Sequence, residues 1–74
     1  MPEQTDWEMT AANILKAELK RKGVTYAQLV EKLEAIGISE KEVNIRNKLS
    51  RGKFTAAFLL QCLSAIGSSQ LHLS

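Results

Sequence analysis

Four times along the chain a Ser or Thr is preceded directly by an apolar residue and followed four positions later by another. The sets are Met9-Thr10-Ile14, Val24-Thr25-Leu29, Ile38-Ser39-Val43 and Phe54-Thr55-Leu59. This is the spacing of an N-cap flanked by a hydrophobic staple, so each set predicts a helix start. Gln28 after Thr25 and Glu42 after Ser39 add capping boxes, and Thr5 with Glu8 forms a further one near the N-terminus. The stops agree with the starts. Gly23, Gly37, Gly52 and Gly67 each stand where a helix needs a left-handed residue just past its end. Val24 after Gly23 is placed to touch Leu19, and Ile38 after Gly37 to touch Leu33, the apolar contacts of a Schellman ending.

Read together, these signals predict an all-α, compact domain of four to five helices. Helix 1 runs to Lys22, starting near Asp6 or, through Thr10, near Ala11. Helix 2 covers Tyr26–Ile36, helix 3 Glu40–Arg51 and helix 4 Ala56–Ile66. Pro2 is the only proline, so none interrupts a helix. The 74 residues make one domain, 1–74, ending in a tail at about 68–74. So short a chain buries a modest core. With one cysteine and no Cys/His cluster, it depends on helix packing or oligomerisation rather than on disulfides or a metal.

Helix 2 is amphipathic, with Tyr26, Leu29, Val30, Leu33 and Ile36 on its apolar side. Helix 4 has a broad apolar face of Phe58, Leu59, Cys62, Leu63 and Ile66, yet Ala56, Ala57 and Leu60 lie outside it. A helix apolar nearly all round is central or helps form an interface. Trp7 shares a face with Ala11, Ile14, Leu15 and Leu19 and reads as a lid on the core. Cys62 reads as a small buried hydrophobe. The echo between Lys32–Ser39 and Cys62–Ser69 covers only a helix end and its cap, so shared capping chemistry accounts for it.

The N-terminus has neither the positive start nor the apolar run of a secretory signal, and the longest apolar run, Ala56 to Leu60, is too short to span a bilayer. A cytoplasmic protein with no membrane partner is the expectation. The net charge of +2 is mild, so position matters more than total. Lys16, Lys20, Arg21 and Lys22 close helix 1, and Arg46, Lys48, Arg51 and Lys53 close helix 3. Cations are favoured at helix C-termini by the macrodipole in any case. No enzyme is expected. The only histidine, His72, falls in the tail, no Gly-rich loop precedes a helix as a phosphate cradle, and no nucleophile–base set can be assembled. No cofactor is implied.

On a wheel of about 100° per residue, Ile45 and Leu49 of helix 3 point one way, with Ile38 on the same side. Glu40, Asn44, Asn47 and Arg51 run along another face, with Lys48 beside them. Asn can pair bidentately with adenine, Arg with guanine, and either cation with phosphate. Helix 2 is expected to end at Ile36, so Gly37-Ile38-Ser39 alone separates it from helix 3. Two helices joined by a short Gly-containing turn make a helix-turn-helix, here at about 25–52, whose second helix enters the major groove.

Val24-Thr-Tyr-Ala-Gln-Leu-Val-Glu-Lys-Leu33 resembles the start of the helix-turn-helix in the lambda-repressor-like (XRE-type) family. Leu49-Ser-Arg-Gly-Lys53 resembles its close of helix 3, and Phe58 to Gly67 its following helix. The likeness covers most of residues 14–67, and the chain is also similar to a group of small uncharacterised bacterial proteins. It implies a transcriptional regulator that binds double-stranded DNA, with Tyr26, Gln28, Lys41, Asn44 and Asn47 facing it. Lys48, Arg51 and Lys53 extend that set with phosphate contacts. Three features depart from the family pattern: the segment Leu33 to Gly52 is several residues longer, Val30 replaces a small alanine, and Glu40 and Glu42 lead helix 3. The alternative is a protein-interaction module on the same fold, since fold does not fix function. A homodimer through helix 4 and the tail, using Leu60, Leu71 and Leu73, fits both readings. Single-strand RNA binding is disfavoured because Tyr26 is the only evident exposed aromatic.

Overall fold

A computed structural model describes residues 4–68. Four helices follow one another: α1 Gln4–Lys22, α2 Tyr26–Ala35, α3 Glu42–Arg51 and α4 Ala56–Ala65. There is no strand among the described residues, so the all-α reading holds. None of these helices is long and apolar enough to cross a membrane. α1 packs against α3 and α4, and α2 against the same two, so the consecutive pair α1 and α2 is bridged by the second half of the chain.

The caps explain two starts as expected. Thr25 and Gln28 form the full capping box: the Gln28 N–H donates to Thr25 Oγ1 at 3.1 Å and the Thr25 N–H to Gln28 Oε1 at 2.9 Å. Thr55 accepts from the Phe58 N–H at 3.0 Å. Two other starts differ. α1 runs unbroken through Thr10, because Glu8 and Met9 before it and Ala11, Ala12 and Leu15 after it are good helix formers. α3 begins at Glu42 with Lys41 as N-cap and no side-chain cap bond, so Ser39 and Glu42 form no capping box.

The cause lies with Glu40. Its Oε2 accepts from Lys48 Nζ at 2.8 Å. Were Glu40 helical, Lys48 would stand about 12 Å further along the axis, at 1.5 Å per residue. The pair therefore closes only if Glu40 stays outside the helix and the chain folds back. As a result the α2–α3 connection spans residues 36–41 and is longer than the turn expected from the sequence.

The endings follow the glycines. Past α1, α2 and α4 the Schellman bonds are present, from Val24 N–H to Leu19, Ile38 N–H to Leu33 and Ser68 N–H to Leu63, each at 2.9 Å. Gly52 carries an additional demand. It is buried with φ +69°, and a Cβ placed on it would meet the Glu8 carbonyl oxygen at 2.8 Å. The α1 backbone thus rests directly on the end of α3, which only glycine permits.

The core comprises Ala12, Leu15 and Leu19 of α1, Leu29 and Leu33 of α2, Ile45 and Leu49 of α3, and Phe58, Cys62 and Leu63 of α4 with Ile66. Several apolar residues lie outside it. Trp7 is 64% exposed and is no core lid. It sits on the first turns of α1 and rims a surface hollow that Gly52, Phe54, Ala56 and Leu59 also line. Ile36, expected on the apolar side of helix 2, and Val43, expected in a staple with Ile38, are also exposed. Leu60 is 62% exposed, in line with its place outside the α4 face. Leu71, His72 and Leu73 lie outside the described residues.

One charged side chain is buried with this core. Glu18 of α1 takes two hydrogen bonds from Arg21, at 2.8 and 3.0 Å, and one from the Ser68 hydroxyl at 2.8 Å. It therefore ties the end of α4 back to α1, with its charge paired as burial demands.

Candidate nucleic-acid interface

Ile45 and Leu49 are fully buried and fix the rotation of α3 about its axis. The opposite surface presents Val43, Asn44, Asn47, Ser50 and Arg51, all exposed. Asn47 stands farthest from the core by helical geometry, at about 200° from Ile45 on a 100° wheel. Arg51, one turn beyond, makes no ion pair among the described residues. Asn44, Asn47 and Arg51 are thus brought onto one open face.

The remaining expected site residues divide. Lys41 is exposed at the N-cap of α3. Lys53 is also exposed but pairs with Glu8 at 3.1 Å across to α1. Gln28 is exposed, with its side chain engaged in the Thr25 capping box. Lys48 is turned inward: Nζ is bound to Glu40 and lies 4.4 Å from the centroid of the Phe58 ring. That position makes it a cross-brace between α3 and α4 rather than a free cation. Tyr26 is half-buried, and its ring lies under the guanidinium of Arg46, 5.8 Å from centroid to Cζ.

Arg46 was not among the residues expected at the site. Its Nη2 donates to Glu42 Oε2 at 2.8 Å. The i,i+4 spacing of Glu42 and Arg46 was a visible signal of that pair. Its approach to Tyr26 depends on how α2 and α3 pack, which no local pattern reveals. Beside Tyr26 a shallow hollow of about 280 Å³ is lined by Lys16, Leu19, Lys20, Val24 and Thr25, bringing two α1 cations toward the start of α2.

Both acidic residues that lead α3 are neutralised within the domain. Residues 7–71 match the family model described as Domain of unknown function (DUF6471), from the first turn of α1 to beyond the end of α4. The chain is a DUF6471 domain. No curated protein and no solved structure matches it.

Electrostatics within the DUF6471 domain support the division between braced and open side chains. Burial pushes the Glu40 carboxyl up, but hydrogen bonds from Lys48 and the Lys41 N–H, the Lys48 charge and the Asn44 amide together outweigh it. The net effect holds Glu40 below its ordinary value and keeps it ionised at neutral pH. Burial, with Glu40 nearby, pushes the Cys62 thiol up to about 12, in keeping with its place as a packing group in the core. No group of His, Cys, Asp or Glu suited to a metal ion occurs among the described residues.

Proposed function

We propose that this DUF6471 domain binds double-stranded DNA, with α3 as the helix that enters the major groove and α2 as its support. The observation that carries this reading is the open α3 face. Asn44, Asn47 and Arg51 are aligned on a helix whose inner side is locked by Ile45 and Leu49, and the carboxylates nearest that face are paired internally. Asn and Arg are the side chains suited to adenine, guanine and phosphate. The reading is that of a lambda-repressor-like helix-turn-helix regulator, with a connection between its two helices longer than the usual three to four residues.

The proposed roles are graded by geometry. Asn44 and Asn47 read bases. Arg51, with Lys41 and Lys53 at the two ends of α3, contacts phosphate, and Lys48 holds the helix in place. Replacing Asn44 and Asn47 together by Ala abolishes sequence preference while the fold persists, and unchanged preference would sink the assignment. Arg51→Ala weakens binding to all sequences and lowers the salt slope by about one unit, whereas Lys48→Ala lowers stability with little change in slope.

A second reading, a protein-interaction module without DNA binding, draws on a different observation. Trp7 and Leu60 are both strongly exposed, and Trp7 rims a hollow of about 350 Å³ floored by Ala11, Phe54, Ala56 and Leu59. Exposed aromatic and apolar groups of this kind mark contact surfaces. Exposed Leu60 on α4 supports a homodimer under either reading. Trp7→Ala separates the two: it leaves DNA affinity per protomer unchanged under the first and removes partner binding under the second.

A further inference from the structure

We propose that Arg46 is a base-reading residue directed at the N7/O6 edge of guanine, pre-set for that contact by Glu42 and Tyr26. The inference rests on the DNA-binding reading above and adds to it a residue and a base.

Two contacts from different elements orient the guanidinium. Glu42, one turn earlier on α3, accepts from Nη2 at 2.8 Å. Arg46 Cζ lies over the Tyr26 ring of α2, 5.8 Å from its centroid, within cation–π range. Together the hydrogen bond and the ring hold the guanidinium on the α2 side of α3. Arg46 remains 58% exposed, and the Glu42 bond uses one of its five N–H donors. The other donors have no protein partner among the described residues, which leaves the planar fork available for two parallel bonds. That fork matches the two acceptors of guanine in the major groove.

The carboxylate decides between base and backbone. An arginine already paired with Glu42 gains less from neutralising a phosphate, and Glu42 itself is repelled by one. Donation of two parallel N–H bonds to a base edge, which carries no net charge, suffers less of that penalty. On the α3 wheel Arg46 flanks the Asn47 ridge on the α2 side, while Asn44 flanks it on the other. A helix lying along the groove would carry Asn44, Asn47 and Arg46 across successive positions.

The test uses the full chain and a pool of randomised duplexes, followed by titration of the preferred duplex and of the same duplex with 7-deazaguanine at single positions. Wild type is expected to prefer guanine at one position and to weaken when that guanine loses N7. Arg46→Ala should lose about 5- to 150-fold of discrimination at that position alone and become indifferent to the deaza substitution. Arg46→Lys, which keeps the charge without the fork, should fail to restore it. Circular dichroism confirms that each variant retains its helices. A uniform loss of affinity across sequences, restored by Lys, would make Arg46 a phosphate contact and overturn the proposal. If wild type binds no duplex at low salt, the DNA reading itself fails and the proposal falls with it.

Discussion

Replacing Gly52 by Ala tests the packing of α1 on α3, and Gly23 provides its control. Both glycines have nearly the same backbone, φ +69° and +68°. An alanine at either position bears the left-handed penalty of about 1–2 kcal/mol. Both substitutions also reduce the freedom of the unfolded chain equally, so that effect cancels in the comparison. The surroundings differ. A Cβ at Gly23 meets nothing within 4 Å, whereas one at Gly52 lies 2.8 Å from the Glu8 oxygen, 2.9 Å from its carbon and 3.2 Å from the Met9 nitrogen. Ordinary contact begins at 3.4 Å, so α1 must retreat by about 3.4 − 2.8 = 0.6 Å. Because the obstacle is backbone, no side-chain rotation relieves it, and overpacking of this kind costs about 1–3 kcal/mol. Gly52→Ala should therefore destabilise by about 2–5 kcal/mol in total, against about 1–2 for Gly23→Ala. Urea titrations of both variants measure the difference directly, and thermal melts should separate by about 4–8 °C per kcal/mol for a domain of this size. Equal destabilisation would refute the close approach of α1 to Gly52.

Leu49 is fully buried, so Leu49→Ala should cost about 2–5 kcal/mol; a melt barely shifted would show that α3 turns a different side to the core. Glu40 has a folded pKa below its unfolded value of about 4.3. Its contribution to stability is full above that value and disappears as pH falls through the lower folded one. Glu40→Gln should accordingly flatten the acid limb of a stability–pH curve, and an unchanged limb would argue against the pairing with Lys48. Cys62 should resist alkylation at neutral pH until denaturant is added, because its thiol is buried and held protonated up to about 12; rapid labelling of the native protein would contradict this.

Local chemistry made much of the fold readable. Thr25 with Gln28, Thr55, and the Gly-apolar pairs at Gly23 and Gly37 act within one helical turn, and they occur as their spacing implies. Ser39 misled because an equally local signal lost to a tertiary one: Lys48 holds Glu40 outside the helix, and the start of α3 moves to Glu42. Thr10 misled for a simpler reason, since helix formers on both sides make a cap unnecessary. The same limit applies to the candidate interface. The outward row of Asn44, Asn47 and Arg51 follows from periodicity alone. That Lys48 is a brace over Phe58, that Gln28 is engaged in a cap, and that Arg46 lies over Tyr26 all depend on where neighbouring elements fall.

The central claim is that the outer face of α3 contacts DNA. A mobility-shift titration of the wild-type chain on mixed genomic fragments, repeated from low to moderate salt, addresses it most directly. Retention of a discrete subset of fragments, weakening as salt rises, is the result predicted. A folded protein that shifts no fragment at the lowest salt would contradict it.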